Sequence, residues 1–246
     1  MLDQNNRQQF LDHLAKQLGR EPRTQVVTEY HPLNDYPVTR LTELSLDQRC
    51  DAFVEFASQT MLVNCQVTKP EQATADLLAM CEKYGGGPVI LNDDSRLVEA
   101  GITPAVQAKY ETHIWSENAA EINRTFANTA NIGIVFAEYG LTESGGIVLF
   151  SDAQRGRSVS LLPKVSIVVL NKSTILPRVA QLSEILHQKA KQGERMPSCI
   201  NLIAGPSSTA DIELIKVVGV HGPVAKAYLI IDDTKKRFGF LTDCVV

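Results

Sequence analysis

The sequence lacks the clustered cysteines and histidines that hold zinc or iron-sulfur centres. Its 246 residues contain no CxxC, HxH or HxxxH pair, and neither a P-loop nor a glycine-rich dinucleotide motif after a strand. We therefore expect no metal, flavin or cluster bound by this chain. The cysteines are widely spaced, and we expect free and mostly buried thiols at Cys50, Cys65, Cys81, Cys199 and Cys244.

Excess positive charge and long apolar runs are also missing. The formal net charge is -4 and the sequence pI is about 5.8, so the chain presents no positive field to nucleic acid. No apolar run approaches the roughly 18 residues that span a bilayer, and the N-terminus lacks the basic head and apolar stretch of a signal peptide. These features predict a cytoplasmic protein without a membrane span.

The sequence does contain alternating helix and strand patterns. Apolar residues at helical spacing after residue 7 predict an N-terminal helix, and residues up to 42 form a proline-containing extended linker. Residues 43–232 then alternate strands such as "NIGIVFA" with helices, which predicts one α/β domain with a mixed, mostly parallel sheet flanked by helices. Closely spaced strands in the second half predict some antiparallel pairing. Residues 233–246 are a polar tail.

Two turns are candidate ligand sites. In "GPSSTADIE", Ser208 and Asp211 have the spacing of a capping box, which predicts a strand followed by a helix whose free N–H groups bind an anion. The alternative is that these residues only cap the helix. The second turn joins the strands "NIGIVFA" and "GGIVLFS", and we expect the two turns to meet and form the main pocket. The predicted ligand residues of the two turns are Thr142, Glu143, Ser144, Gly145 and Gly146, with Gly205, Pro206, Ser207, Ser208, Thr209 and Asp211.

Three further side chains are candidates for binding a carboxylate or phosphate. Arg155 and Arg157 have the donors for a bidentate contact, although they equally suit pairing with Glu138 or Glu143, or exposure to solvent. His221 lies between glycines in "GVHGP", where it suits ligand binding or proton transfer. A turn histidine with structural hydrogen bonds is the alternative.

Several of these stretches together resemble one family. The segments "EYGLTESGGIVLF", "RGRSVSLLP", "STILPRVAQL" and "MPSCINLIAGPSSTADIELIKVVGVHGP" are similar to the LutC/YkgG family, lactate utilization protein C, of the LUD domain group. The resemblance covers residues 39–232 and implies a NagB/RpiA/CoA-transferase-like fold. It also implies a role, with two partner subunits, in oxidising L-lactate to pyruvate. One partner carries ferredoxin-type cysteine motifs and the other cysteine-rich repeats, so the iron-sulfur clusters are expected there.

Two functions from different classes remain open. The first is a non-redox subunit of an iron-sulfur L-lactate utilization system, with an anion-binding pocket. The second is a free-standing enzyme or sensor for a small carboxylate, phosphate or CoA ester. Glu138 and Glu143 each begin an E-x-G sequence that resembles the loop of the nucleophilic glutamate in CoA transferases, which makes them, with His221, the candidate catalytic residues.

Overall fold

The structure is a computed structural model that describes residues 3–22, 33–210 and 216–235. The chain divides into two compact units, residues 1–35 and 36–246. The first contains helix α1 (Gln4–Gln17), whose N-cap Asp3 accepts a hydrogen bond from the Asn5 N–H. Gly19 follows the helix with φ +63°, a conformation that suits glycine, as the sequence predicted. Of the predicted linker, residues 23–32 lie outside the described residues.

The second unit contains the strands and the other helices, numbered along the chain. Its helices are α2 (Tyr36–Thr39), α3 (Leu46–Gln59), α4 (Ala73–Lys83), α5 (Ser95–Glu99), α6 (Ile102–Lys109), α7 (Ala120–Thr129), α8 (Ser158–Leu161) and α9 (Val179–Lys191). Its strands are β1 (Asn64–Thr68), β2 (Val89–Leu91), β3 (Thr112–Ile114), β4 (Ile132–Phe136), β5 (Tyr139–Leu141), β6 (Gly146–Ser151), β7 (Val165–Asn171), β8 (Ile175–Leu176), β9 (Cys199–Ile203), β10 (Ser208–Ala210), β11 (Lys216–Val218) and β12 (Ala225–Ile231). In the described ranges, no helix is long and apolar enough to cross a bilayer.

A parallel sheet forms the centre of this unit. Within the described residues it has six strands in the order β1-β12-β7-β4-β2-β3, and every neighbouring pair is parallel. The strands β4, β7 and β12 are almost wholly buried because apolar residues cover both faces, as is typical of parallel sheets. The predicted α/β class is confirmed.

The antiparallel pairing lies outside this sheet. A smaller sheet has the order β8-β5-β6-β9 in the part of the chain that the structure describes, with β6 antiparallel to both β5 and β9. Its strands follow β4 and pack their apolar residues against one face of the parallel sheet. The hairpin β10–β11 pairs separately, Ser208 opposite Val218. The antiparallel pairing that the closely spaced strands of the second half predict is therefore confirmed.

The helix α9 begins later than local signals indicate. The sequence offers Ser173 or Thr174 as its N-cap, with Pro177 in the first turn. Both hydroxyl residues instead lie in a 3-10 turn, and the Ser173 N–H donates to Asp233 (3.0 Å). Pro177 precedes the helix instead of lying in its first turn. The helix starts at Val179, whose N–H donates to a carboxylate 36 residues earlier in the chain, Glu143 (2.7 Å). A tertiary contact thus replaces the local cap.

The sequence offers Ser45 as an N-cap before a run of apolar residues at helical spacing, and helix α3 begins directly after it. The Gln48 N–H donates to Ser45 Oγ (3.3 Å), and the Ser45 N–H donates to Gln48 Oε1 (2.9 Å), which completes a capping box. We expect Ser45→Ala to lower the free energy of unfolding by about 1 kcal/mol in urea denaturation. Ser45→Asp, which keeps an acceptor, is the control and should stay close to wild type. Equal losses in both variants would contradict the capping role.

Candidate functional site

Five charged side chains meet beyond the carboxyl ends of β2 and β4. We call them the ion-pair cluster: Asp94, Arg96, Glu138, Asp152 and Arg155. From β2 the chain turns to β3 on one side, whereas β4 lies on the other side and the rest of the sheet continues from it. The loops after β2 and β4 therefore leave in opposite directions. Ligands of α/β sheets bind at such a switch point, in the crevice at the carboxyl ends.

Arg96 lies between two carboxylates in this cluster. Its Nε and Nη2 donate to Asp94 (2.9 and 2.7 Å), and its Nη1 and Nη2 donate to Glu138 (3.0 and 2.8 Å). The guanidinium also packs over the Phe136 ring, 4.5 Å from its centroid. Burial by itself would lower the pKa of Arg96, but the hydrogen bonds and charges of Asp94 and Glu138 outweigh it, so the pKa is raised. Arg96 is thus fixed and permanently charged.

Arg155 joins the cluster to the loop after β6. Its Nε and Nη2 donate to Asp152 (2.8 and 2.6 Å), and its Nη1 donates to Glu138. Two backbone N–H groups, those of Gln154 and Arg155, also donate to Asp152. Burial alone would raise the pKa of Asp152, but these hydrogen bonds lower it. The alternative in which Arg155 pairs with Glu138 is therefore the one observed.

Local sequence explains where the cluster forms. Asp94 is the N-cap of α5 and accepts a hydrogen bond from the Arg96 N–H (3.0 Å), so the same carboxylate caps the helix and holds the guanidinium. Glu138 is placed by the step from β4 into β5, where its N–H donates to the Val148 carbonyl (2.9 Å). Three carboxylates and two guanidiniums give the cluster a net charge of about -1 if all are ionised.

Two of the cavities that open on this cluster share a wall. The first, the edge cavity, has a volume of about 400 Å³ and is lined by Asp94, Arg96 and Arg155 among others. The second, the wide cavity, has a volume of about 480 Å³ and lies between the loop after β6 and the loop that joins α9 to β9. Asp152, Gln154 and Arg155 line both. The loop after β6 is therefore the wall that the two cavities share.

The single tryptophan holds this shared wall. Trp115 Nε1 donates to the Ala153 carbonyl (2.9 Å), and its ring lies so close to Gly156 that a Cβ there would come within 2.4 Å of it. Glycine at position 156 is therefore required by close approach, not by its φ angle. A change in the loop that lines both cavities therefore changes the surroundings of the Trp115 ring.

The turn predicted at residues 142–146 lies elsewhere and is largely occupied by its own contacts. Glu143 accepts hydrogen bonds from Arg178 Nε (2.6 Å) and from the Val179 N–H at the start of α9. Thr142 is buried, and its N–H donates to the Leu176 carbonyl (2.9 Å). Ser144 Oγ accepts from the Gly146 N–H (3.3 Å). A helix N-terminus does meet an anion here, but the anion is the chain's own Glu143.

The two predicted turns approach each other, although the space between them is small. A Cβ on Gly146 would lie 3.4 Å from Ala204, next to Gly205, and Ser144, Gly146 and Ala204 line one cavity. Its volume is about 250 Å³, less than that of the edge or the wide cavity. The turns therefore meet as expected, but they do not form the main pocket of the described residues.

The helix predicted to begin at Ser208 in the turn "GPSSTADIE" does not begin there. Residues Ser208, Thr209 and Ala210 form strand β10, because Lys216–Val218 pairs with them as β11. Cross-strand pairing thus overrides the local S-x-x-D signal. Asp211 lies outside the described residues. Gly205 has φ +76°, and a Cβ there would lie 2.6 Å from the Met61 carbonyl oxygen, so this position does require glycine.

The remaining predicted residues lie near the amino end of β12 or on the surface. The Ser207 N–H donates to the Pro223 carbonyl (3.0 Å), next to Pro206, which joins the "GPSS" turn to "GVHGP". His221 is exposed in that turn. Arg157 is exposed as well, and its Nε donates to Asn201 (3.2 Å). Neither of these two contacts brings its residues into the ion-pair cluster, and His221 is not part of the cluster either.

Comparison with known proteins settles the family. The family model described as the LUD domain matches residues 58–231. The chain belongs to the LUD domain family. It is 55% identical over 229 residues to an Escherichia coli K12 protein named "Uncharacterized protein YkgG", which covers 93% of this chain and 99% of that protein. It is 39% identical over 241 residues to Bacillus subtilis lactate utilization protein C, with 93% and 97% covered.

A solved structure shares the fold. The crystal structure of a DUF162 family protein from Deinococcus radiodurans superposes with a TM-score of 0.56 at 17% identity, covering 76% of this chain and 99% of that one. The sequence predicts Glu138 and Arg155 as site residues, but not Asp94, Arg96 and Asp152. A signal for Asp94 and Arg96 lies in "NDDSR", polar residues that directly follow the apolar strand Val89–Leu91.

Proposed function

We propose that this chain is the non-redox subunit of a system that oxidises L-lactate to pyruvate, and that separate subunits carry the iron-sulfur clusters. The observation that carries the proposal is near full-length similarity. Relatives named lactate utilization protein C from Geobacillus kaustophilus and Bacillus subtilis are 38% and 39% identical over 93% of this chain. The letter in that name fits a system of several proteins, with ferredoxin-type and cysteine-rich partners.

The chemistry of the cysteines supports placing the clusters in partners. Burial raises the pKa of Cys50 to about 11 and that of Cys65 and Cys81 to about 12. These thiols are therefore protonated near neutral pH, whereas metal ligation and thiol reactivity need the thiolate. Among the described residues, no three His, Cys, Asp or Glu side chains are grouped as a metal site.

The cavities at the carboxyl edge provide the contacts that a 2-hydroxy acid needs. A guanidinium has five N–H donors, and the bonds of Arg155 to Asp152 and Glu138 leave some of them for a ligand oxygen. Arg195 lines the wide cavity and makes no ion pair or hydrogen bond within the described residues, so its charge is available to a carboxylate. We assign the acid group of the ligand to Arg195 and its hydroxyl or oxo oxygen to Arg155.

The ion pairs favour the subunit over the loop-glutamate enzyme. Both oxygens of Glu138 accept hydrogen bonds from arginines. Both oxygens of Glu143 are also engaged, by Arg178 and the Val179 N–H. A carboxylate that attacks an acyl carbon needs a free oxygen, and neither glutamate presents one. The enzyme hypothesis differs in predicting that the isolated chain turns over a small acid.

Growth on L-lactate tests the proposal. We expect a strain without this gene to lose growth on L-lactate, the wild-type chain to restore it, and Arg155→Met to restore it poorly because a ligand contact is lost. The matched control is Arg124→Met, which removes an exposed arginine paired only with its helix neighbour Glu121. Co-purification with cysteine-rich partners should accompany growth.

Turnover by the isolated chain would contradict the proposal. If purified wild-type protein converts a CoA ester or another small acid, and Glu138→Gln or Glu143→Gln abolishes this with the fold intact, the enzyme hypothesis is correct. Unimpaired growth on L-lactate without the gene would also overturn the subunit assignment.

A further inference from the structure

The wide cavity is larger than lactate requires. Its volume of about 480 Å³ falls in the range of roughly 300–1,000 Å³ that is typical of small-molecule pockets, and it shares the loop after β6 as a wall with the edge cavity. Lactate carries only a methyl group beyond its acid and hydroxyl groups. A ligand that fills this space therefore needs a larger side chain.

Three apolar side chains line part of the wide cavity among its polar residues. They are Phe150, Met196 and Pro197, here called the apolar wall. The Phe150 ring lies edge-on to Tyr139, with centroids 6.3 Å apart and an angle of 64° between the planes, which fixes its orientation. Met196 is 37% exposed, and its flexible thioether side chain adapts to the shape of a bound group. This wall suits an aromatic or branched side chain.

Most charged groups around the wide cavity are paired with one another. Lys189 is paired with Glu194 (2.7 Å), and Arg155 is paired with Asp152 and Glu138. Arg195 and Glu117 also line the cavity, and neither has an ion pair in the ranges that the structure describes. Arg195 is therefore the cation left for a ligand carboxylate, whereas Glu117 repels a second carboxylate. A ligand with a single carboxylate at one end and an apolar group at the other fits these unpaired charges and the apolar side chains of the cavity.

We infer that the wide cavity binds 2-hydroxy or 2-oxo acids with a bulky, preferably aromatic, side chain, and binds them more tightly than lactate. The acid group contacts Arg195, the neighbouring oxygen contacts Arg155, and the side chain covers Phe150, Met196 and Pro197. The inference rests on the proposed function for the acid end of the ligand and adds the side-chain class. No covalent step is involved.

Calorimetric titration of the purified full chain with L-phenyllactate and with L-lactate tests the inference. We expect phenyllactate to bind at least about tenfold more tightly. Phe150→Ala should weaken the binding of phenyllactate by about tenfold and that of lactate by less than about twofold. Arg195→Met should weaken the binding of both acids. Met196→Ala is the second variant if Phe150→Ala fails to fold, and Arg124→Met is the charge control. A change in Trp115 fluorescence provides an independent readout at the shared wall.

Equal affinities for the two acids, or equal losses of both in Phe150→Ala, would overturn the inference. Failure of both acids to bind would also overturn it, and if lactate growth still required the chain the proposed function would stand. Conversely, tight binding of phenyllactate by a chain that is dispensable for growth on lactate would support the ligand class and contradict the proposed function.

Discussion

Replacing Lys226 with methionine is expected to raise the free energy of unfolding by about 2 kcal/mol near pH 7. Lys226 is the second residue of β12 in the parallel sheet, and only 2% of it is exposed. Its Nζ donates to Ser166 Oγ (3.1 Å), and no carboxylate pairs with it in the described part of the chain. A buried ammonium with one neutral partner is costly, and a methionine of similar shape removes that cost.

The pKa of Lys226 gives the size of the effect. Burial lowers it from an ordinary value of 10.5 to about 8. At roughly 1.36 kcal/mol per pH unit, this difference destabilises the folded wild-type protein by about 3 kcal/mol. The hydrogen bond to Ser166, which methionine cannot make, offsets about 1 kcal/mol of that destabilisation. Between pH 8 and 10.5 the unfolded chain binds more protons than the folded one, so wild-type stability rises with pH there.

Urea unfolding at two pH values separates this charge effect from packing. The stability difference between Lys226→Met and wild type should be about 2 kcal/mol near pH 7 and close to zero near pH 9.5. Lys164→Met, which changes an exposed lysine just before β7, is the control and should stay within about 0.5 kcal/mol at both pH values. A Lys226→Met protein less stable than wild type at both pH values would show that the ammonium has a stabilising partner.

The parallel sheet was predictable because its signals are local. The run "NIGIVFA" predicts a buried strand, and β4 occupies Ile132–Phe136 within it. Helix α3 likewise starts at the predicted cap Ser45, since both halves of its capping box lie within four residues. Where one stretch of chain contains all the groups that define an element, reading that stretch is sufficient.

The predictions of helix starts that were wrong share a physical cause. Contacts with residues distant in sequence compete with the local capping signals. The helix predicted from Ser208 gives way to β10 because Lys216–Val218 supplies a pairing strand. The start of α9 is set by Glu143 and not by a neighbouring hydroxyl. Short capping signals are worth about 1 kcal/mol each, so a strand pairing or an ion pair formed on folding easily overrides them.

Only part of the candidate site could be predicted from the sequence, for the same reason. Arg155 and Glu138 were recognised as a possible pair, but the sequence left solvent and Glu143 as equal alternatives. The pairing with Glu138 is decided by Arg96, which lies in the first turn of α5, 42 residues before Glu138, and binds the same carboxylate. Parallel sheets bring together the ends of strands that are distant in sequence, so functional pairs at the carboxyl edge follow from topology and not from spacing.

Truncating Glu138 should have the largest destabilising effect in the ion-pair cluster. Glu138 bridges Arg96 and Arg155, and these three side chains are 19–29% exposed. Glu138→Ala leaves two guanidiniums facing each other without the carboxylate between them. Losing one partner of a buried pair costs 3–5 kcal/mol, and partial exposure reduces this to about 2–3 kcal/mol in urea unfolding. Glu121→Ala, in a pair more than 70% exposed, is the control, with a loss below about 0.5 kcal/mol. Glu138→Gln keeps the shape and should fall between them. Equal losses in Glu138→Ala and Glu121→Ala would mean that solvent screens the cluster as fully as a surface pair.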